Sequence, residues 1–438
     1  MKRILPILLS LLLLCACVQR PQNETAQASA AEPGETPAAE PDATPANKTP
    51  APDRDGPTPV ALGFDVPEIG GYSDFAYTLS AALLDGTENR NLSPVSVYYA
   101  LAMAAEGADG QTLSDLLKLL GCSDLDALHE TADAMLEKLT RPRETGEITL
   151  CNSLWTGEQI PVRDEFRKQL QKLYGADAFS VAFGTDAAAE RIAGWITEKT
   201  NGLISPSPDA TQFDADTVGV LLNTVYFRDQ WRLQFADPNP GTFTRADGTE
   251  QDADFLHRLS GDTYIVRGDG FLRYSVSFEN RGCVTFILPD EGVALSDLFG
   301  TPDKLRTMLS GGETIHADVD LLMPEFKFRD RFELADTLTA LGLTDAFTDD
   351  ADFSGISVFK TKFDRVIQET VVDLNRDGVE AAGYTEIMLA PGAAAMPDNE
   401  PEPLPLIEFH LDRPFLFVIE TAGIPLFVGT VNAPNENN

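Results

Sequence analysis

Residues 390–405 are rich in Pro, Ala and acid and carry neither helix nor strand periodicity. A long structureless segment inside a compact domain is uncommon and marks either a functional loop or a disordered one. An apolar run at 366–374 precedes it and reads as a buried strand. Between the two, residues 379–389 alternate in character. One face is Val379, Ala381, Gly383, Thr385, Ile387 and Leu389, small or apolar and without charge. The other is Glu380, Ala382, Tyr384, Glu386 and Met388 and holds both carboxylates. Period-two alternation suits a strand with one face on a core. Gly378 in front and the loose segment behind suggest a loop able to become a strand.

Two plainer readings fit the same residues. A permanent edge strand with an exposed loop is one. A calcium loop is the other, since Asp373, Asn375, Asp377 and Gly378 match the first half of that pattern. Its twelfth position is Tyr384, where a bidentate Glu is required. An interdomain linker is disfavoured, because the apolar runs beyond Pro405 read as strands of the same core.

Residues 1–16 read as a targeting segment: Lys2 and Arg3, then an apolar run at 4–14 too short to span a bilayer. Leu14-Cys15-Ala16-Cys17 resembles a bacterial lipoprotein signal, with cleavage before Cys17 and lipidation of its thiol. Residues 17–60 are rich in Pro, Ala, Thr and acid. They hold too few large apolar side chains to offset ordering entropy, so a disordered tether is expected. Residues 61–438 form the folded domain. The expected location is extracytoplasmic, lipid-anchored at the cell surface, with release to the outside left open.

A formal charge of −36 disfavours nucleic acid and anionic membrane surfaces as partners. Beyond the signal, Cys122, Cys151 and Cys283 remain, which is no disulfide framework. The four histidines, His129, His257, His316 and His410, show no metal-ligand spacing. Nucleophile-elbow, phosphate-loop and dinucleotide motifs are absent. Neither a cofactor, a metal nor enzymatic catalysis is expected.

Coarse periodicity gives an α+β chain. Helices are expected at 94–106 behind Ser93-Pro94, at 112–120, 125–139, 162–174, 187–200 and 332–341. Strands are expected at 147–155, 315–328, 415–419 and 426–431, with several short ones in 263–288. The near-continuous apolar run 218–227 reads as a strand buried on both faces.

Several segments together resemble the serpin family. Asn91-Leu92-Ser93-Pro94-Val95-Ser96, with Gly107-Ala108-Asp109-Gly110-Gln111-Thr112 behind it, is similar to the first family signature. Thr200-Asn201-Gly202-Leu203-Ile204 after Trp195, then Leu221-Leu222-Asn223-Thr224-Val225-Tyr226-Phe227 before Trp231, resemble the next two. Met323-Pro324-Glu325-Phe326, Arg413-Pro414-Phe415 and Phe427-Val428-Gly429-Thr430 continue the series. The resemblance implies three β-sheets, eight or nine helices and an exposed reactive loop, here about 378–405. It implies a monomeric inhibitor of serine proteases. The target attacks the loop, forms an acyl-enzyme and is trapped as the loop inserts into the central sheet as a strand, a mode already recognised for serpins.

The resemblance also assigns residues. Gly378, Val379, Glu380, Ala381, Ala382 and Gly383 match the hinge. Trp231, Glu325 and Arg376 form a latch where the loop joins the sheet. The family's usual charges are swapped at Glu325 and Arg376, so an ion pair of reversed polarity is expected. Ser93, Ser96, Asn223 and Gln368 match the sheet's control point, where a frequent family His is replaced by Gln368. The family's loop length, counted from Gly378, puts the attacked bond at Gly392-Ala393; counted from the distal end, it falls near Glu400. The window 388–396 is rich in Ala and lacks Arg and Lys. That suits an elastase-like or subtilisin-like target, with a cysteine protease left open. A non-inhibitory serpin-fold surface protein, cleaved as a simple substrate or serving as a scaffold, is the alternative; a hydrolase with dispersed catalytic residues is a weaker one.

Inserting 379–389 would gain about 10 kcal/mol in hydrogen bonds. Burying Val379, Ile387 and Leu389 adds about 1.5–3 kcal/mol each. Ordering costs roughly 1–2 kcal/mol per residue, so the sums nearly cancel. A net drive therefore requires a starting sheet that is itself strained.

Overall fold

The computed structural model describes Ile69, residues 71–379 and residues 403–435, apart from 142, 144, 159, 160, 216, 281 and 364. The sequence readings at 1–60, including Cys17, and at 380–402 lie outside the described residues.

Helix α1 (Tyr72–Leu83) leads to the short β1 (Arg90–Leu92) and to α2 (Pro94–Ala105), α3 (Gly110–Leu119) and α4 (Leu125–Leu139). Next come β2 (Glu147–Gly157), α5 (Asp164–Tyr174), β3 (Asp177–Val181), α6 (Asp186–Lys199) and β4 (Gly219–Gln230). The middle of the chain is β5 (Asn239–Thr244), β6 (Glu250–Arg267), β7 (Phe271–Ser277) and β8 (Gly282–Pro289). Then follow α7 (Leu295–Leu298), α8 (Pro302–Ser310), β9 (Glu313–Pro324), β10 (Phe326–Glu333) and α9 (Ala335–Ala340). The chain closes with β11 (Ile367–Asn375), β12 (Gly378–Val379), β13 (Leu406–His410), β14 (Phe415–Thr421) and β15 (Ile424–Val431).

Among the described residues these strands make two hydrogen-bonded sheets. One has six strands in the order β10-β11-β12-β4-β2-β3. The other has nine, running β1-β15-β14-β8-β7-β6-β9-β13 with β5 on β6. The nine-stranded sheet merges two of the three layers implied by the resemblance. β6 is 18 residues long and passes from one half to the other, with a register shift between Ser260 and Thr263.

β4 is apolar along its length because both faces are covered. Val225 and Phe227 face the main core. Val220 and Leu222 lie in a smaller cluster with Trp155, Val181 and the Ile192 and Trp195 side chains of α6. Helix α2 runs inside the core and buries ten of its twelve residues, so its apolar surface goes all round. Asp124 begins α4, accepting the Ala127 amide as an N-cap.

Two boundaries differ from the sequence reading. The expected strand 315–328 is two strands in different sheets, broken at Glu325. Pro324 has no amide to donate, and the Glu325 amide turns to the Asp254 carbonyl at 2.8 Å. The expected helix 332–341 shrinks to α9, because Phe332 and Glu333 still pair with Gln368 and Ile367 as strand.

Where the loop joins the central sheet

β11 turns back on itself through residues 375–378, and the turn is tightly specified. The Asp377 amide donates to Asn375 Oδ1 at 3.0 Å, and Trp231 Nε1 donates to the Asn375 carbonyl at 2.8 Å. Trp231 is buried, stacked on Phe278 at 5.1 Å and edge-on to Phe235. Gly378 has φ +145°, and a Cβ there would stand 2.1 Å from the Asp229 carbonyl oxygen. Any larger residue would push β4 away.

Leaving the turn, Gly378 and Val379 enter the six-stranded sheet. They pair with Asn375 and Leu374 of β11 on one side and with Gln230 and Asp229 of β4 on the other. Among the described residues this two-residue segment is the one ladder joining β11 to β4. Farther along, the two strands wall a cleft of about 100 Å³, partly open to solvent. Asn223 to Val225 and Thr370 to Val371 line it from the strands, and Ile192 and Ile196 of α6 line another side.

The residues assigned to the latch stand together, in a different arrangement from the expected one. Glu325 Oε1 accepts the backbone amide of Arg376 at 2.7 Å. The Arg376 guanidinium turns instead to Asp237, with Asp377 3.7 Å away. The expected side-chain ion pair is therefore a carboxylate capping a turn amide. Burial pushes the Glu325 carboxyl up, and the Arg376 amide counters it.

The control-point residues also meet, through the backbone. Gln368 Nε2 donates to the Ser93 carbonyl at 2.7 Å, and Gln368 Oε1 accepts the Ser93 amide at 3.1 Å. Ser96 Oγ reaches the Asn223 carbonyl at 3.4 Å, and Asn223 Nδ2 donates to Asn152 Oδ1 at 2.7 Å. Gln368 thus ties β11 to the start of α2 and makes no bond to Ser96 or Asn223 among the described residues. The buried Ser93 Oγ, Asn223 Oδ1 and Thr224 Oγ1 have no hydrogen-bond partner there. All three residues line the cleft.

Sequence reasoning missed the Asp229 network. Asp229 is buried directly opposite Val379, with Asn280 Nδ2 at 3.0 Å and Arg143 Nη1 at 3.6 Å. Burial pushes its carboxyl up, opposed by those partners. The weak signal was an Asp inside an apolar strand, with partners 51 residues away or more.

A family model described as Serpin (serine protease inhibitor) matches residues 71–434. The chain belongs to the serpin family. Among curated serpin relatives it is similar to Iris of Ixodes ricinus, 29% identical over 359 residues, covering 79% of this chain and 93% of that one. It is also similar to Ipis-1 of Ixodes persulcatus, at 30% identity with the same coverage. Among solved serpins, tengpin, a thermophilic member, in its native state gives a TM-score of 0.72 at 28% identity, over 84% of this chain and 95% of that one. Thyroxine-binding globulin in complex with thyroxine gives 0.68 at 23% identity, over 84% and 100%, and shares the serpin fold. The hinge positions beyond Val379 and the bond Gly392-Ala393 lie outside the described residues.

Proposed function

We propose that this serpin inhibits serine proteases by covalent trapping, with residues 380–389 entering the sheet behind Gly378 and Val379. The supporting observation is that Gly378 and Val379 already pair with β11 and β4 at once. Continuing that register sets Ala381 between Val372 and Phe227, Gly383 between Thr370 and Val225, and Thr385 between Gln368 and Asn223. Val372, Phe227, Thr370, Val225 and Gln368 are all buried, so the small uncharged residues take the inward side. Thr385 would bring a hydroxyl to the partnerless Asn223 Oδ1.

The serine of the target would attack the carbonyl of Gly392, leaving the loop ester-linked to the protease as the amine of Ala393 departs. Ala-rich residues around this bond fit an elastase-like or subtilisin-like pocket. In this reading Cys17 carries a lipid, and residues 17–60 hold the inhibitor off the membrane outside the cell. Incubation with pancreatic elastase, chymotrypsin and subtilisin tests it. A complex surviving hot detergent is expected with at least one. Clean cleavage in 388–396 with no complex makes it a substrate-like serpin, and no cleavage a scaffold.

A further inference from the structure

Three large apolar side chains stand in solvent near the two ends of the loop. Leu233, Leu259 and Leu406 are 65%, 63% and 61% exposed. Leu406 opens β13, three residues after Pro403, where the described chain resumes. Leu259 of β6 and Glu408 of β13 both pair with Asp320 of β9, one from each side. Leu406 is two residues from Glu408, so it lies on the same face, about 12 Å from Leu259. The opposite face is the core side, where Leu256, Val319, Leu321 and Phe409 are buried. The middle of the outer face is held firmly. Asp320 Oδ1 is 2.6 Å from His257 Nε2, and Oδ2 is 3.3 Å from His410 Nε2, so one carboxylate ties the three strands together.

Leu233 continues this strip toward the other end of the loop. Its carbonyl accepts Arg258 Nη1 at 2.8 Å, and the Arg258 guanidinium lies over the Phe235 ring at 4.5 Å. Arg258 is the chain neighbour of Leu259, and Trp231, two residues before Leu233, holds the turn at Asn375. The leucines thus run from the turn before Gly378 to β13, across the surface between the described ends of the loop. A single exposed leucine needs no explanation, but three on one strip mark a contact surface.

We propose that this strip is a second docking surface for the protease that attacks the loop, with an apolar rim of the enzyme packing over Leu233, Leu259 and Leu406. The choice of partner rests on the covalent-trapping reading above. Ala393 precedes Pro403 by ten residues, and a chain of that length spans at most about 36 Å. A globular enzyme of about 200 residues is roughly 40 Å across. An enzyme holding the bond Gly392-Ala393 is therefore wider than its connection to β13 is long, and it stands over the strip. Asp318 and Glu408 border Leu406, and Asp320 borders Leu259, so the matching rim is apolar with Lys or Arg beside it. Such a contact adds selectivity among enzymes that accept the same small loop residues.

The probes are pancreatic elastase and subtilisin, each with its catalytic serine replaced by alanine, so that they bind the full chain without processing it. Their affinity is measured by calorimetry for the wild type and for the triple variant Leu233→Ser, Leu259→Ser, Leu406→Ser. A control carries Val358→Ser and Phe359→Ser, an exposed apolar pair outside the strip. The triple variant should bind at least one enzyme roughly tenfold more weakly or worse, and the control should bind as the wild type does. Melting temperatures check folding, and Leu259→Ser alone is the substitute if the triple variant fails. Unchanged affinity in the triple variant, an equal loss in the control, or no binding by either enzyme overturns the proposal. The active enzymes test the trapping reading separately. The triple variant should react more slowly, yet divide between detergent-stable complex and cleaved chain as the wild type does. Trapping with unchanged affinity would sink the docking surface alone, and clean cleavage with weakened affinity would sink the trapping alone.

Discussion

Val379 and Asp229 are cross-strand partners, and Leu374 pairs with the same valine from the other side. The first step of the strand is thus already fixed in register between two strands that no other ladder joins among the described residues. That register is specific enough to separate neighbouring substitutions. Ala381→Arg would drive a charge between the buried Val372 and Phe227 and should turn an inhibitor into a substrate. Glu380→Ala falls on the opposite face and should leave trapping intact. The ratio of detergent-stable complex to cleaved protein reads both. Equal behaviour of the two variants contradicts the register.

The turn contact argues against a strong latch between charges. Arg376 and Asp237 are both exposed, at 49% and 86%, so Arg376→Ala should cost under about 1 kcal/mol. Glu325→Ala removes the acceptor of a turn amide and should cost about 1 kcal/mol or more. A double-mutant cycle in denaturant should show side-chain coupling near zero. Coupling above about 1 kcal/mol would restore the ion pair.

Gln368 satisfies both backbone groups of Ser93 inside the core. Gln368→Ala strips the partner from the Ser93 amide, while the Ser93 carbonyl keeps the Ser96 and Val97 amides, and should destabilise by about 1–3 kcal/mol. Gln368→His should add a pH dependence that the glutamine cannot have. A buried imidazole must stay neutral to donate and accept, so its folded pKa falls below the unfolded value of about 6.5. Its stability contribution is then present above that value and is lost on acidification. Denaturant midpoints between about pH 5 and pH 8 check the sign.

Glu420 supplies a native pH effect. Burial pushes its carboxyl up from 4.5 to about 7, opposed by the Cys283 thiol, which donates to Glu420 Oε1 at 3.4 Å. The folded form holds the proton more tightly than the unfolded chain. Its contribution is complete below 4.5 and is lost as pH rises through about 7. Glu420→Gln should therefore gain on the wild type towards alkaline pH, by up to about 3 kcal/mol near pH 8. Parallel stability curves from pH 5 to 8 would contradict it.

Much of this architecture was legible. The apolar run 218–227 is β4, which needs no alternation because both its faces are covered; 366–374 is β11, whose second face carries Glu369 and Asp373 in ion pairs with Arg329 and Lys327. The helix 125–139 is α4 to the residue, its start marked by the Asp124 cap. What stayed hidden depends on partners far away in the chain. The break at Glu325 follows from two sheets claiming one apolar run. The swap of charges at Glu325 and Arg376 was visible, but the choice of a backbone amide over the guanidinium was set by Asp237. The gathering of His257, Asp320 and His410 needs the strand order itself.

The most direct test is to nick the loop after residue 389 with a protease that it does not trap and to compare melting temperatures of intact and nicked protein. If the sheet is strained until residues 380–389 join it, the nicked form should melt higher by on the order of 10 °C or more. An unchanged or lower melting temperature would contradict the account.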